Sequence, residues 1–251
     1  NAFTATTASS NAGTANLSTK AAGGTINMAA SNSGAYNING GAGADILTGG
    51  SGNDIFTVAA ATEVDGDTIN GGAGNDIINL STGTHTLNDD AKLSNVETIV
   101  ANSSGSTLIL TNQAEGFTLT GSAGTDNFTG GSGADVITGG AGNDTFAGGT
   151  GNDTFNIDSG TDTISDLGTG SDIFVVSSGA TLNATPITSF TATFASRNDG
   201  TANLTAATGG GVIDLSNVAS GAGSYTITVG AGTDTVTGSS GNDVFVVAAT
   251  T

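Results

Sequence analysis

The sequence predicts an all-β protein in which short parallel strands are stacked coil upon coil as a solenoid. The first observation is an uninterrupted repeat: residues 121–156 read GSAGTDNFT, GGSGADVIT, GGAGNDTFA and GGTGNDTFN, four nine-residue units in one register. Each unit has glycine at positions 1 and 4, Asp at position 6 and an apolar residue at position 8. The second is composition: 42 of 251 residues are glycine, only 5% are aromatic and Trp is absent. A thin solenoid interior fits this composition better than a large conventional core.

Each unit combines a turn with a short strand. Glycine tolerates positive φ, so the glycine-rich half can turn tightly, and the remaining strand is too short to be stable alone. Two units, or eighteen residues, make one coil, and stacked coils lie about 4.8 Å apart. We therefore expect Asp126, Asp144 and Asp162 to form one column and Asp135 and Asp153 another.

Stacked carboxylates repel one another, and at roughly 5 Å and an effective dielectric constant near 20 one pair costs about 3 kcal/mol. No Lys or Arg lies in 121–156 to offset this cost. The columns therefore need a bound cation. Asp oxygens and backbone carbonyls form an all-oxygen ligand set, which suits Ca²⁺ better than Mg²⁺. At position 8, Phe128, Ile137, Phe146 and Phe155 should point into the coil.

Tandem GGxGxD units, with further copies elsewhere in the chain, resemble the RTX family of calcium-binding β-rolls. The resemblance implies a right-handed parallel β-roll, or β-solenoid, whose calcium-binding nonapeptide turns alternate with calcium-free β coils. It implies that several Ca²⁺ ions lie between the turns of repeats n and n+2, with Asp at position 6 as the side-chain ligand. It also implies type I secretion from a Gram-negative bacterium, and folding outside the cell.

The candidate calcium ligands are the Asp residues at position 6, which account for 12 of the 19 Asp in the chain. They are Asp45, Asp54, Asp67, Asp76, Asp126, Asp135, Asp144, Asp153, Asp162, Asp172, Asp234 and Asp243. The turn glycines predicted to contribute to the metal sites are Gly41, Gly43, Gly50, Gly52, Gly72, Gly74, Gly124, Gly131, Gly133, Gly140, Gly142, Gly149 and Gly151.

In chain order, the pattern predicts six segments. They are an N-terminal β cap or assembly strand (1–39), a first RTX block (40–79), calcium-free β coils (80–120), the main RTX block (121–175), a β spacer of parallel coils or a small sandwich-like cap (176–228), and the last repeats with a C-terminal strand (229–251).

Several positions depart from the repeat. Residues 58–61 insert four residues before a decayed unit, 62–70, which keeps Asp67 but lacks the glycines; we expect the insertion to bulge at a turn and leave the stack intact. Asp172 is displaced by one residue from the register of the main block, and Asp158 and Asp166 fit turn positions. The single histidine, His85, is interpreted as a solvated turn residue.

Charge and missing motifs exclude several functions. The net charge is −19, and only Lys20, Lys92 and Arg197 are positive, which argues against nucleic acid and against anionic membranes as partners. No apolar run is long enough to insert into a membrane. There is no Cys, no HExxH motif and no second histidine for a nucleophile–base pair. We therefore predict that the protein is not an enzyme.

Two functions remain open from the sequence. The first is a calcium-dependent structural protein, a secreted subunit that assembles with copies of itself into a cell-surface layer or an extracellular filament. Resemblance to RTX surface-layer (S-layer) proteins supports it, with surface polysaccharide as a further possible partner. The alternative is a C-terminal secretion and folding module of a larger RTX toxin, adhesin or hydrolase.

Overall fold

The computed structural model describes residues 2–6, 13–19, 23–31, 34–41, 43–58, 66–101, 105–221 and 223–247. Within these residues every regular element is a β-strand. In chain order, strands β1 to β27 are Ala2–Thr4, Thr14–Ser18, Thr25–Asn27, Ala35–Asn39, Ile46–Thr48, Ile55–Val58, Thr68–Asn70, Ile77–Leu80, Gly83–Thr86, Leu93–Ser94, Thr98–Ala101, Ser106–Ile109, Thr118–Thr120, Asn127–Thr129, Val136–Thr138, Thr145–Ala147, Thr154–Ile157, Thr161–Ile164, Ile173–Val176, Thr181–Ile187, Ser189–Thr191, Arg197–Asn198, Thr201–Ala206, Val212–Asp214, Ser224–Val229, Thr235–Thr237 and Asp243–Val247.

The strands form a β-solenoid of about 11 turns. Strands that are neighbours in a sheet are not consecutive in sequence, and they pair in parallel, as in β14 with β16 and β15 with β17. In the main repeat block the register is eighteen residues, which places Phe128 beside Phe146 and Ile137 beside Phe155. The stacking that the nonapeptide period predicts is therefore confirmed.

Four parallel sheets make up the walls of the solenoid. A ten-stranded sheet (β2, β4, β6, β8, β11, β13, β15, β17, β19, β22) runs along most of the stack, and a separate three-stranded sheet (β21, β24, β26) lies near the C-terminal end. A five-stranded sheet (β1, β3, β5, β7, β10) is followed by a nine-stranded one (β9, β12, β14, β16, β18, β20, β23, β25, β27). The spacer at 176–228 therefore forms parallel coils and not a sandwich, and it continues the same stack.

The core is a ladder of apolar side chains inside the coils. Phe128, Ile137, Phe146 and Phe155 have no exposed surface, which confirms the inward direction of position 8. The ring centroids of Phe128 and Phe146 lie 6.3 Å apart, and those of Phe146 and Phe155 are equally close. Burial of each such side chain contributes roughly 1.5–3 kcal/mol, so the narrow interior still stabilises every coil.

The expected insertion falls mostly on residues 59–65, which lie outside the described part of the chain. On either side of it the stack continues, because Leu47 pairs with Ile69 and Phe56 pairs with Ile78. The extra residues lengthen this coil to twenty-two residues without changing which side chains face inward. The stack is thus intact across the irregular coil, as predicted.

The interpretation of His85 as a solvated residue is wrong. His85 lies on β9, is fully buried, and pairs in register with the buried Leu108. Its Nε2 atom lies 2.8 Å from the carbonyl oxygen of Ser81. Because every second side chain of a strand points to the same face, His85 occupies an inward position of a coil that lacks the glycine turns.

None of the described elements is a helix with the length and hydrophobicity needed to cross a lipid bilayer.

Candidate metal centres

The Asp residues at position 6 form hydrogen-bonded columns along the edges of the solenoid. The backbone N–H of Asp126 donates to Oδ1 of Asp144 at 2.8 Å, and the N–H of Asp144 donates to Oδ1 of Asp162 at 2.9 Å. Each carboxylate thus accepts a backbone hydrogen bond from the coil before it. The same bond, at 2.7–3.1 Å, joins Asp135 to Asp153, Asp153 to Asp172, Asp45 to Asp67 and Asp54 to Asp76.

These columns confirm the stacking of the acidic residues, and they are buried. Ten of the twelve position-6 Asp residues are at most 3% exposed, namely Asp45, Asp54, Asp67, Asp76, Asp126, Asp135, Asp144, Asp153, Asp162 and Asp172. Asp234 and Asp243 differ, since they are half-buried and their neighbours in the previous coil are Gly211 and Tyr225. The structure therefore gathers the first ten into columns but leaves the last two without a stacked Asp in the described chain.

Five of the buried carboxylates have an oxygen that no donor reaches. Within the described residues, Oδ2 accepts no hydrogen bond in Asp45, Asp76, Asp144, Asp153 and Asp162. Neither of the two ion pairs found there, Lys92 with Asp89 and Arg197 with Asp199, involves these five. A buried ionised carboxylate without a compensating charge is strongly unfavourable, so these oxygens require a cation.

In the regular turns, the glycine at position 1 leaves the space into which Oδ2 of the position-6 Asp points, whether or not that oxygen accepts a hydrogen bond. A Cβ atom added to Gly121 would lie 2.7 Å from Oδ2 of Asp126 and would overlap the carbonyl oxygen of Gly139 in the next coil. At Gly130 it would overlap Oδ2 of Asp135 and the carbonyl oxygen of Gly148. Carboxylate and carbonyl oxygens thus surround a cradle that only glycine keeps open.

The donor set fits calcium. Carboxylates and carbonyls are the hard oxygen ligands that Ca²⁺ takes six to eight at a time. No three His, Cys, Asp or Glu side chains converge on one point in the described part of the chain. Backbone carbonyls must therefore complete each site, as the cradles allow. The bound ion would supply positive charge where stacked carboxylates repel.

Burial and neighbouring charges shift the acidity of the columns. Burial raises the pKa of Asp76, Asp153 and Asp162 from 3.8 to about 6. A backbone hydrogen bond partly offsets this rise, and nearby carboxylates add to it. Burial likewise raises the pKa of Asp54, Asp135 and Asp144. These six residues thus hold protons more tightly than exposed Asp residues do when no metal compensates their charge.

A family model described as the RTX calcium-binding nonapeptide repeat matches the chain in four copies, at residues 32–59, 65–84, 120–155 and 219–247. The chain therefore contains RTX calcium-binding repeats. RTX repeats bind Ca²⁺, and since the chain has several repeats it binds several Ca²⁺ ions. No curated protein and no solved structure gives a significant match. RTX proteins are typically secreted by Gram-negative bacteria, and their repeat fold typically has a structural or calcium-binding role.

The turn glycines of the RTX repeats adopt two conformations. Positive φ occurs at Gly41, Gly43, Gly72, Gly74, Gly140, Gly142, Gly149 and Gly151, the left-handed region that favours glycine. The remaining predicted glycines, Gly50, Gly52, Gly124, Gly131 and Gly133, do not have positive φ.

Sequence reasoning missed Glu97, which continues a column beyond the RTX repeats. Its Oε2 accepts the backbone N–H of Asp76 at 2.6 Å, in the place that the next Asp would occupy. A Cβ on Gly71 would overlap the carbonyl oxygen of Asn95, which stands where a position-1 glycine carbonyl would lie. The signal was the spacing: Glu97 follows Asp76 by 21 residues, close to the length of the preceding coil.

The sequence also failed to indicate two further contributions to the glycine turns. The position-1 glycines were not among the predicted site residues, although the cradles depend on them. Asp166, interpreted as a turn residue, accepts the N–H groups of Gly148 and Gly149 at 3.0 and 2.8 Å. It therefore holds the last glycine turn of the main block through its side chain.

The raised pKa values predict how the calcium-free protein responds to pH. Asp76, Asp153 and Asp162 have a folded-state pKa of about 6 against 3.8 for an ordinary Asp, so the folded chain binds protons more tightly than the unfolded chain. In chelator, the free energy of unfolding should be highest below pH 3.8 and should fall as the pH rises through about 6. Thermal melts in chelator across this range measure the effect, and a melting temperature that rises from about pH 5 to about pH 7 would contradict it.

Proposed function

We propose that this protein is an extracellular structural subunit that folds on binding calcium and assembles with copies of itself into a surface layer or a filament. The main observation behind the proposal is that the described residues form one continuous stack of coils. Buried carboxylates that need Ca²⁺ line the edges of this stack. A Gram-negative cell surface, where calcium is available outside the cell, is the proposed location.

The outer faces of the sheets support a structural role. Side chains of like residues pair along the stack, as in Asn37 with Asn16 at 2.8 Å and Asn203 with Asn183 at 2.9 Å. Such side-chain ladders are typical of flat sheets that stack extensively. His85, the only histidine of the chain, is buried in the core and not exposed to a substrate. These features favour a non-enzymatic surface protein.

The strand at one edge of the nine-stranded sheet supports assembly. β27 pairs only with β25 among the described strands, and its side chains Val244, Phe245 and Val247 are 55%, 54% and 78% exposed. An exposed apolar edge strand is a template for pairing with another strand. A second copy of the chain can cover it, and so can a further segment of a longer protein, which is the alternative reading as a secretion and folding module.

Negative-stain electron microscopy of the purified protein in millimolar calcium tests the proposal. Ordered sheets or fibres are expected with Ca²⁺ and not with the same concentration of Mg²⁺ or with chelator. The variant Phe245→Ser should reduce assembly, because it makes the exposed edge polar. The control Phe194→Ser, at a residue that is 78% exposed and outside the strands, should assemble normally. Monodisperse particles in calcium would favour the secretion module instead.

A further inference from the structure

Ten of the twelve turns with an Asp at position 6 fall into two classes, according to the hydrogen bonding of the second carboxylate oxygen, Oδ2. In one class, here called capped turns, Oδ2 accepts the N–H of the residue at position 2 of its own turn. Ser122 donates to Asp126 at 2.9 Å and Gly131 donates to Asp135 at 3.2 Å. The capped turns are those of Asp54, Asp126, Asp135, Asp172 and Asp243.

In the other class, here called bare turns, Oδ2 has no hydrogen-bond partner although the side chain is at most 1% exposed. The bare turns are those of Asp45, Asp76, Asp144, Asp153 and Asp162. Apart from the half-buried Asp243, the two classes are similar in burial. Asp126 and Asp144 lie in the same column, eighteen residues apart, and are joined by a hydrogen bond, yet Asp126 is capped and Asp144 is bare.

A positive φ at position 2 accompanies four of the five bare turns. Turns that differ by a peptide-plane flip differ in ψ of one residue and in φ of the next, which becomes positive. At position 2 of these four turns, Gly41, Gly72, Gly140 and Gly149 have φ between +74° and +103°, and their N–H groups do not donate to the Asp of the turn. The capped turn of Asp172 is an exception, because Gly168 has a φ of +99° and its N–H still donates to Oδ2 at 2.7 Å. The turn of Asp162 has Asp158 at position 2 and shows positive φ at Gly160 instead.

The residue at position 2 then limits which state a turn can reach. Ser122 and Ser239 occupy this position in two of the capped turns, and positive φ is disfavoured for serine. Gly50 and Gly131 have no such restriction, but their N–H groups donate to Asp54 and Asp135 and their φ is not positive. In a capped turn the amide therefore satisfies the oxygen that calcium satisfies in a bare turn.

We propose that calcium fills the bare turns first and the capped turns only at higher concentration, because a capped turn must first give up its amide hydrogen bond. A hydrogen bond to a charged acceptor is among the stronger ones in proteins. Losing it should weaken calcium binding at the capped turns by at least about tenfold. At low calcium, the amide hydrogen bond keeps each capped turn in its conformation. This inference rests on calcium binding alone, so a failure of the protein to assemble would leave it unaffected.

Calcium binding to the whole chain, counted by native mass spectrometry and by equilibrium dialysis, tests the proposal. The unsubstituted protein should bind in two steps separated by at least about tenfold in calcium concentration. Asp144→Asn should lower the number of ions bound in the first step. Asp126→Asn, the matched variant in the same column, should leave the first step unchanged and lower the second.

A single binding step in the unsubstituted protein would overturn the proposal without any variant, so the test survives if a substitution prevents folding. Equal losses from the same step in Asp144→Asn and Asp126→Asn would overturn it as well.

Discussion

Removing calcium at about pH 7 should unfold the repeats, because the five bare turns leave buried carboxylates without compensating charge. With a dissociation constant on the order of 10⁻⁴ M, as in extracellular modules, about 10 mM calcium is a hundredfold excess. Each site then contributes about 2.7 kcal/mol, so five sites contribute about 13 kcal/mol. This equals the whole stability of a typical domain, roughly 5–15 kcal/mol. Circular dichroism in chelator should show loss of the β signal.

The control is magnesium, which prefers ideal octahedral geometry and retains its waters. Re-adding Mg²⁺ to the chelated protein should restore little β structure, whereas Ca²⁺ should restore it fully. Since burial raises the pKa of Asp76, Asp153 and Asp162, acidification of the calcium-free chain should also recover part of the signal. A chelated protein with an unchanged spectrum and melting temperature at about pH 7 would show that the columns do not depend on metal.

Substituting Gly71 by Ala should be among the most damaging single changes in the chain. The new Cβ would overlap the carbonyl oxygen of Asn95 and lie 2.9 Å from its carbonyl carbon, and would also overlap Oδ2 of Asp76. Because one of these groups belongs to the backbone, the coils must separate locally. We expect a loss of about 3 kcal/mol or more, seen as a melting temperature about 6–12 °C lower, together with fewer bound calcium ions.

Gly209→Ala is the matched control, since a Cβ at Gly209 would have no atom within 4 Å. This variant should melt within a few degrees of the unsubstituted protein, and reduced entropy of its unfolded chain can even stabilise it by up to about 1 kcal/mol. Calcium stoichiometry should be unchanged. Equal melting temperatures for Gly71→Ala and Gly209→Ala would refute the cradle at position 1.

The period of the repeat was sufficient to predict how the coils stack. Phe128 over Phe146 and Asp126 over Asp144 follow from an eighteen-residue coil, because parallel strands in register place equivalent residues one above the other. The same reasoning correctly predicted that Asp54 stacks on Asp76 across the insertion. It failed at His85, because in a coil without glycine turns the sequence contains no marker of which alternate residues face inward.

The class of fold, the columns of carboxylates and the need for calcium all follow from the sequence, since they depend on spacing and on charge that no basic residue balances. The atoms that complete the columns were found only in three dimensions. Glu97 and the carbonyl of Asn95 enter through contacts between coils, and such contacts are not marked by a repeat. Bare and capped turns were also distinguished only in three dimensions, because the hydrogen bond of Oδ2 depends on backbone conformation, which differs between the nearly identical turns that contain Gly131 and Gly140.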